Sequence, residues 1–92
     1  MIQLGGNITL DGFQRRDYAE LIVIKKIVGR YARQLSDSHA GFESLTITLD
    51  KEEPVSIQTT AVIKSKKTEA NAEDQNLFIA LDAALKKLTT TL

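Results

Sequence analysis

The residues from Leu77 to Leu88 set the strongest limit on what this chain can fold into. Leu77, Phe78, Leu81, Ala84, Leu85 and Leu88 recur at spacings of three and four, so a helix places all six on one face. Asp82 and Lys86 fall four apart on the other side, in the order that mildly stabilises a helix. Asp74 precedes the run and is the expected N-cap, since its carboxylate can accept from the free N–H groups of a first turn. A helix with so wide an apolar face needs a sheet or a second helix to cover it. The preceding residues must supply that cover.

They do so in a regular order. Ile2, Leu4, Ile8 and Leu10 alternate with Gln3, Asn7 and Thr9, the period of one half-buried strand interrupted by Gly5-Gly6. Asp11-Gly12 turns the chain. Asp17 and Glu20 have capping-box spacing, and Leu21, Ile24, Ile27, Val28, Tyr31, Ala32 and Leu35 then share one helical arc. The β-branched run Ile22-Val23-Ile24 resists helix, but the 3.6-residue period persists for four turns while alternation fails. Gly29 inside this helix costs about 1 kcal/mol relative to alanine. Residues 36–41 read as a loop.

Leu45, Ile47 and Leu49 alternate with Ser44, Thr46 and Thr48, a strand with one wet face. Asp50 to Pro54 reads as a hairpin connection, and Val55, Ile57, Thr59, Ala61 and Ile63 as the inward series of the next strand. Lys64 to Lys67 turns again, 68–72 forms a short edge strand, and Thr89 to Leu92 frays. The expected fold class is α+β, in the order β-α-β-β-β-α. A four-stranded mixed sheet carries two helices packed on one face, and its first two strands are parallel through a right-handed crossover.

Ninety-two residues suit one domain spanning 1–92. No apolar run is long enough to span a bilayer, the opening residues carry no secretory pattern, and there is no cysteine. A cytoplasmic protein with no membrane partner is the expectation. Twelve basic residues balance twelve acidic ones, so only an uneven placement of charge could serve a nucleic acid.

Catalysis is poorly provisioned. His39 is the only histidine and falls in a loop, where a solvent-exposed ring is the plain reading. Asp50, Glu52 and Glu53 crowd a turn, Leu4-Gly5-Gly6-Asn7 lacks phosphate-loop spacing, and no nucleophile–base pair stands out. No enzyme, metal, cofactor or small-molecule substrate is expected. The basic residues are more informative: Lys25, Lys26, Arg30 and Arg33 project from the outer side of the first helix. Lys86 and Lys87 end the second helix, and Lys64, Lys66 and Lys67 share one turn. These read either as solvated faces or as contacts to nucleic-acid phosphates. Tyr18, Tyr31 and Phe78 read as core and only Phe13 and Phe42 as loop residues. Base stacking is therefore disfavoured against backbone binding.

The run Ala70-Asn71-Ala72-Glu73-Asp74-Gln75-Asn76-Leu77-Phe78-Ile79-Ala80-Leu81-Asp82 resembles the signature of the ribosome hibernation factor family. That signature is an Ala-x-Ala-Glu edge strand, an acidic-amide turn and Leu/Met-Tyr/Phe-x-Ala-Ile/Leu-Asp opening the last helix. The element order and the opening at Leu4-Gly5-Gly6 are similar too. The resemblance implies a domain that binds the RNA of the small ribosomal subunit in the messenger and transfer RNA channel and silences translation. It would do so through Lys25, Lys26, Arg30, Arg33, Lys86 and Lys87. Two departures are visible: three threonines follow Leu88 where the family continues into a basic helix, and Glu52 and Glu53 would repel phosphate. The competing reading keeps the fold as a protein-interaction module. In it a homodimer or other partner docks on Ile22, Val23 and Ile79, which lie outside the buried arcs.

Overall fold

The computed structural model describes residues 2–4, 7–13 and 16–92. Its elements are β1 (Ile2–Leu4), β2 (Ile8–Asp11), α1 (Tyr18–Ser38), β3 (Phe42–Glu52), β4 (Val55–Ile63), β5 (Lys66–Asp74) and α2 (Leu77–Thr91). The α+β class stands, but the sheet has five strands in the order β1-β2-β3-β4-β5, not four. The expected first strand is in fact a hairpin, with β1 antiparallel to β2 and Ile2 opposite Leu10 and Leu4 opposite Ile8. The two glycines between them lie outside the described residues. The parallel pair is β2 with β3, joined through α1, and β3-β4-β5 is an antiparallel meander.

Register explains the core. Leu10, Ile47, Thr59 and Ala70 stand in one row across four strands, with Ile8, Leu45, Ala61 and Thr68 in the next. Strand side chains alternate faces, so these rows form a single apolar surface, and both helices lie against it. Leu10, Leu45, Ile47, Ile57, Thr59 and Ala61 are fully buried there. Thr59 satisfies its hydroxyl by donating to the Ala70 carbonyl at 2.8 Å. The opposite face is polar: Thr9, Thr46, Thr60 and Glu69 form one row, and Asp11, Thr48, Gln58 and Asn71 another.

Several boundaries differ from the sequence expectation. β5 is not a short strand, because it pairs with β4 along its full length, from Val55 opposite Asp74 to Ile63 opposite Lys66. The connecting turn is only Lys64-Ser65, both with positive φ (51° and 65°), the conformation a two-residue hairpin demands. β3 runs on through Glu52, with a register irregularity between Leu49 and Lys51. Gly12 does turn the chain, at a φ of +85°. That turn delivers Phe13, a loop residue as expected, into the core, where it is fully buried. Phe42, by contrast, opens β3 and is half-buried.

Both helices outrun their expected ends. α1 begins at a capping box in which Glu20 accepts from the Asp17 N–H at 3.4 Å, and it continues through Ser38. α2 is capped by Asn76, not Asp74: the Asn76 carboxamide oxygen accepts from the N–H groups of Phe78 and Ile79 at 2.9 and 3.2 Å. Asp74 instead accepts from the Asn76 N–H at 2.9 Å, fixing the turn before the helix. The threonines do not fray. Thr89 and Thr90 donate to the Lys86 carbonyl and Thr91 to that of Lys87, so the three hydroxyls fold back onto the preceding turn of a helix that continues to Thr91.

Candidate nucleic-acid interface

The buried stripe of α1 is Ile24, Val28, Ala32 and Leu35, and that of α2 is Leu77, Ala80, Leu81, Ala84, Leu85 and Leu88. These spacings dictate which side chains point away from the sheet. Lys25, Lys26, Arg30, Arg33, Lys86 and Lys87 are all exposed on the outer surface of the helical layer. Ile22, Val23 and Ile79 are 40 %, 42 % and 55 % exposed, outside the buried arcs as expected. Tyr18 is a correction: expected as core, it is 74 % exposed at the start of α1. Phe78 and Tyr31 are half-buried against the core.

The helices lie side by side and run in the same direction. Arg16 and Glu20 at the start of α1 share a hollow with Asn76, Leu77 and Phe78 at the start of α2. At the other end His39 and Leu92 line a second hollow. Between them the Tyr31 hydroxyl donates to Asp82 Oδ1 at 2.8 Å, and Arg30 Nη2 lies 4.0 Å from the same oxygen. Partial burial, followed by the bond to Asp82, raises the Tyr31 hydroxyl above its ordinary acidity range. Asp82 therefore turns to α1 and forms no ion pair with Lys86, its expected partner. Arg30 is a bridging residue as well as a surface cation, its guanidinium 5.6 Å from the Tyr31 ring centre.

Among the described residues the ion pairs are Arg16 with Glu20 and Glu52, Arg30 with Asp82, and Lys67 with Glu69. Lys25, Lys26, Arg33, Lys86 and Lys87 make none, though Lys87 Nζ also donates to the Asn71 carbonyl at 3.4 Å. α1 carries four cations against Glu20 and Asp37, and α2 two against Asp82, so the helical layer is positive although the whole chain is neutral.

Charge is also sorted along the helix direction. Glu20, Glu52 and Glu53 sit at the N-terminal ends of the helices, and Glu73 and Asp74 pair with Ser56 and Val55 beside them. Lys64 and Lys66 gather with His39 and Leu92 at the opposite end, and Lys67 follows on β5. The acids of the β3–β4 connection are thus held at the far end of the molecule from the Lys64–Lys67 cluster. The Lys66 and Lys67 positions belong to a strand rather than to the expected turn. Among the described residues no group of three His, Asp or Glu is placed to hold a metal ion, and no helix is long and apolar enough to cross a membrane.

A scan of protein-family models and a search of curated protein sequences return no match. Solved structures do. The chain is similar to the N-terminal domain of Protein Y from Thermus thermophilus, with a TM-score of 0.68, 17% sequence identity and 94% of each chain covered. It is also similar to a ribosomal subunit interface protein from Coxiella burnetii, with a TM-score of 0.69, 14% identity and 95% and 93% of the two chains covered. The resemblance carried by Ala70 to Asp82 is therefore matched at the level of the whole fold: this chain shares the architecture of the Protein Y N-terminal domain and of a ribosomal subunit interface protein.

Proposed function

We propose that this protein binds the small ribosomal subunit without catalysis and silences translation, gripping ribosomal RNA phosphates with the outer faces of its two helices. The observation that carries the reading is the placement of Lys25, Lys26, Arg33, Lys86 and Lys87. All five are exposed, and among the described residues none makes an ion pair, on adjacent parallel helices of a chain with zero net charge. A neutral protein that concentrates free cations on one layer has built a local field suited to a polyanion. Arg30 contributes to that field while tying α1 to α2 through Asp82. The fold shared with a protein named as a ribosomal subunit interface protein supports the same reading.

Ile22, Val23 and Ile79 favour the second reading, a protein partner or a second copy docking on the same layer. Co-sedimentation with purified small subunits separates the two. Reversing charge with Lys26→Glu and Arg33→Glu should abolish pelleting, and Ile79→Asp should not. The opposite pattern would favour the protein-partner reading.

A further inference from the structure

Gly29 has no role in the packing of this fold. It sits in the middle of α1, where glycine is a poor choice. A glycine in such a place is usually required by a close neighbour, yet among the described residues nothing lies within 4 Å of the Cβ that a larger residue would carry. Its φ is not in the left-handed region that favours glycine, since Gly12 is the positive-φ glycine among the described residues. A side chain would fit there, and the helix would be the more stable for it. Among the described residues the bare position has no packing reason.

Its surroundings supply another. Residues three and four apart on a helix are surface neighbours, about 5–6 Å apart. Lys25 and Lys26 precede Gly29 by four and three residues, and Arg33 follows it by four. All three are exposed and none makes an ion pair among the described residues. They border a patch of open helix backbone. Beside it, Gly29 and Arg33 help to line a hollow of about 310 Å³ between α1 and the start of β2, with Asn7 and Ser36 as its polar groups.

We infer that Gly29 is the floor of a phosphate seat, where one RNA phosphodiester lies against the helix and is held by Lys25, Lys26 and Arg33. A side chain at 29 would hold the phosphate off the surface and lengthen all three contacts. A charge-assisted contact weakens steeply when its geometry is lost. Tyr18 and Ile22 continue the same exposed side of α1 two turns and one turn before Lys25 and Lys26, apolar surface beside the seated phosphate. This inference rests on the RNA-binding reading and names one contact within it.

Gly29→Ala and Gly29→Gln test it, because both should fold. Each should melt at a temperature equal to or above that of the wild type. Gly29→Gln should nevertheless bind small subunits about tenfold more weakly, the loss expected of one charge-assisted contact, with Gly29→Ala intermediate. Its salt dependence should fall by about one phosphate contact. Lys25→Gln combined with Gly29→Gln should lose less than the product of the single losses, since both act on one phosphate.

Lys86→Glu with Lys87→Glu, remote in sequence from the seat, is the independent arm. If that pair loses binding while Gly29→Gln binds as the wild type does, the seat is wrong and the RNA reading stands. If neither loses binding, the RNA reading fails and takes the seat with it. A Gly29→Gln protein that keeps subunit affinity but changes its oligomeric state in sedimentation equilibrium would make the bare patch a contact between copies, and that also overturns the inference.

Discussion

Leu81 and Ile79 stand two residues apart on α2 and face opposite environments. Leu81 is fully buried between the helix and the sheet, whereas Ile79 is 55 % exposed. Leu81→Ala should cost about 2–5 kcal/mol through lost transfer energy and a residual cavity. Ile79→Ala should cost less than about 1 kcal/mol. Urea melts of the two variants check this, and equal losses would place the core on the wrong face. Tyr31 offers a test of the helix–helix tie. Tyr31→Phe removes the bond to Asp82 and should cost about 1 kcal/mol at neutral pH, modest because the pair is partly solvated. The Tyr31 pKa is raised in the folded state, so the fold holds that proton more tightly than the unfolded chain does. Its contribution is fully present below the unfolded value near 10 and is lost as pH rises through the folded value. Melts taken on both sides of that window should show the difference between wild type and Tyr31→Phe shrinking or reversing at high pH. A constant difference would mean that the hydroxyl is not held by Asp82.

Among the elements, the start of α2 is the sharpest case. Asn76→Ala should destabilise by about 1 kcal/mol, since two N–H groups lose their acceptor, and Asp74→Ala by less. Denaturant midpoints of the two variants decide which residue is the cap. Asp74 was the natural reading from sequence because an acid before an apolar run is a strong start signal; Asn76, two residues later, is an equally good cap and directly precedes Leu77. The same kind of degeneracy hid a strand. Ile2, Leu4, Ile8 and Leu10 share one face whether the chain runs straight or folds back with Ile2 opposite Leu10, so alternation alone does not distinguish the two. The α1 stripe was legible because four turns of consistent spacing leave little choice, even against the β-branched run at Ile22 to Ile24. Tyr18 was misplaced because a wheel does not say where a helix rises clear of the sheet. The cations of the candidate site were legible as an outward face, but the Arg30–Asp82 tie and the open surface at Gly29 depend on where the second helix and β2 lie. Nothing in the sequence order states that.

At the scale of the whole molecule, neutrality conceals a sorted charge. Cations crowd the helical layer and the Lys64–Lys67 end, while Glu20, Glu52, Glu53, Glu73 and Asp74 gather at the other. If Lys25, Lys26 and Arg33 share the phosphate seated at Gly29 and Lys86 and Lys87 each meet one more, the logarithm of the binding constant should fall with the logarithm of salt at a slope of about −2.1 to −2.7. The most direct measurement is a salt titration of small-subunit binding by the wild type and by Lys26→Glu with Arg33→Glu. The account predicts a steep wild-type slope, with the charge-reversed protein at least one phosphate contact shallower and much weaker at every salt concentration. A wild-type affinity that barely responds to salt, shared by the charge-reversed protein, would contradict it.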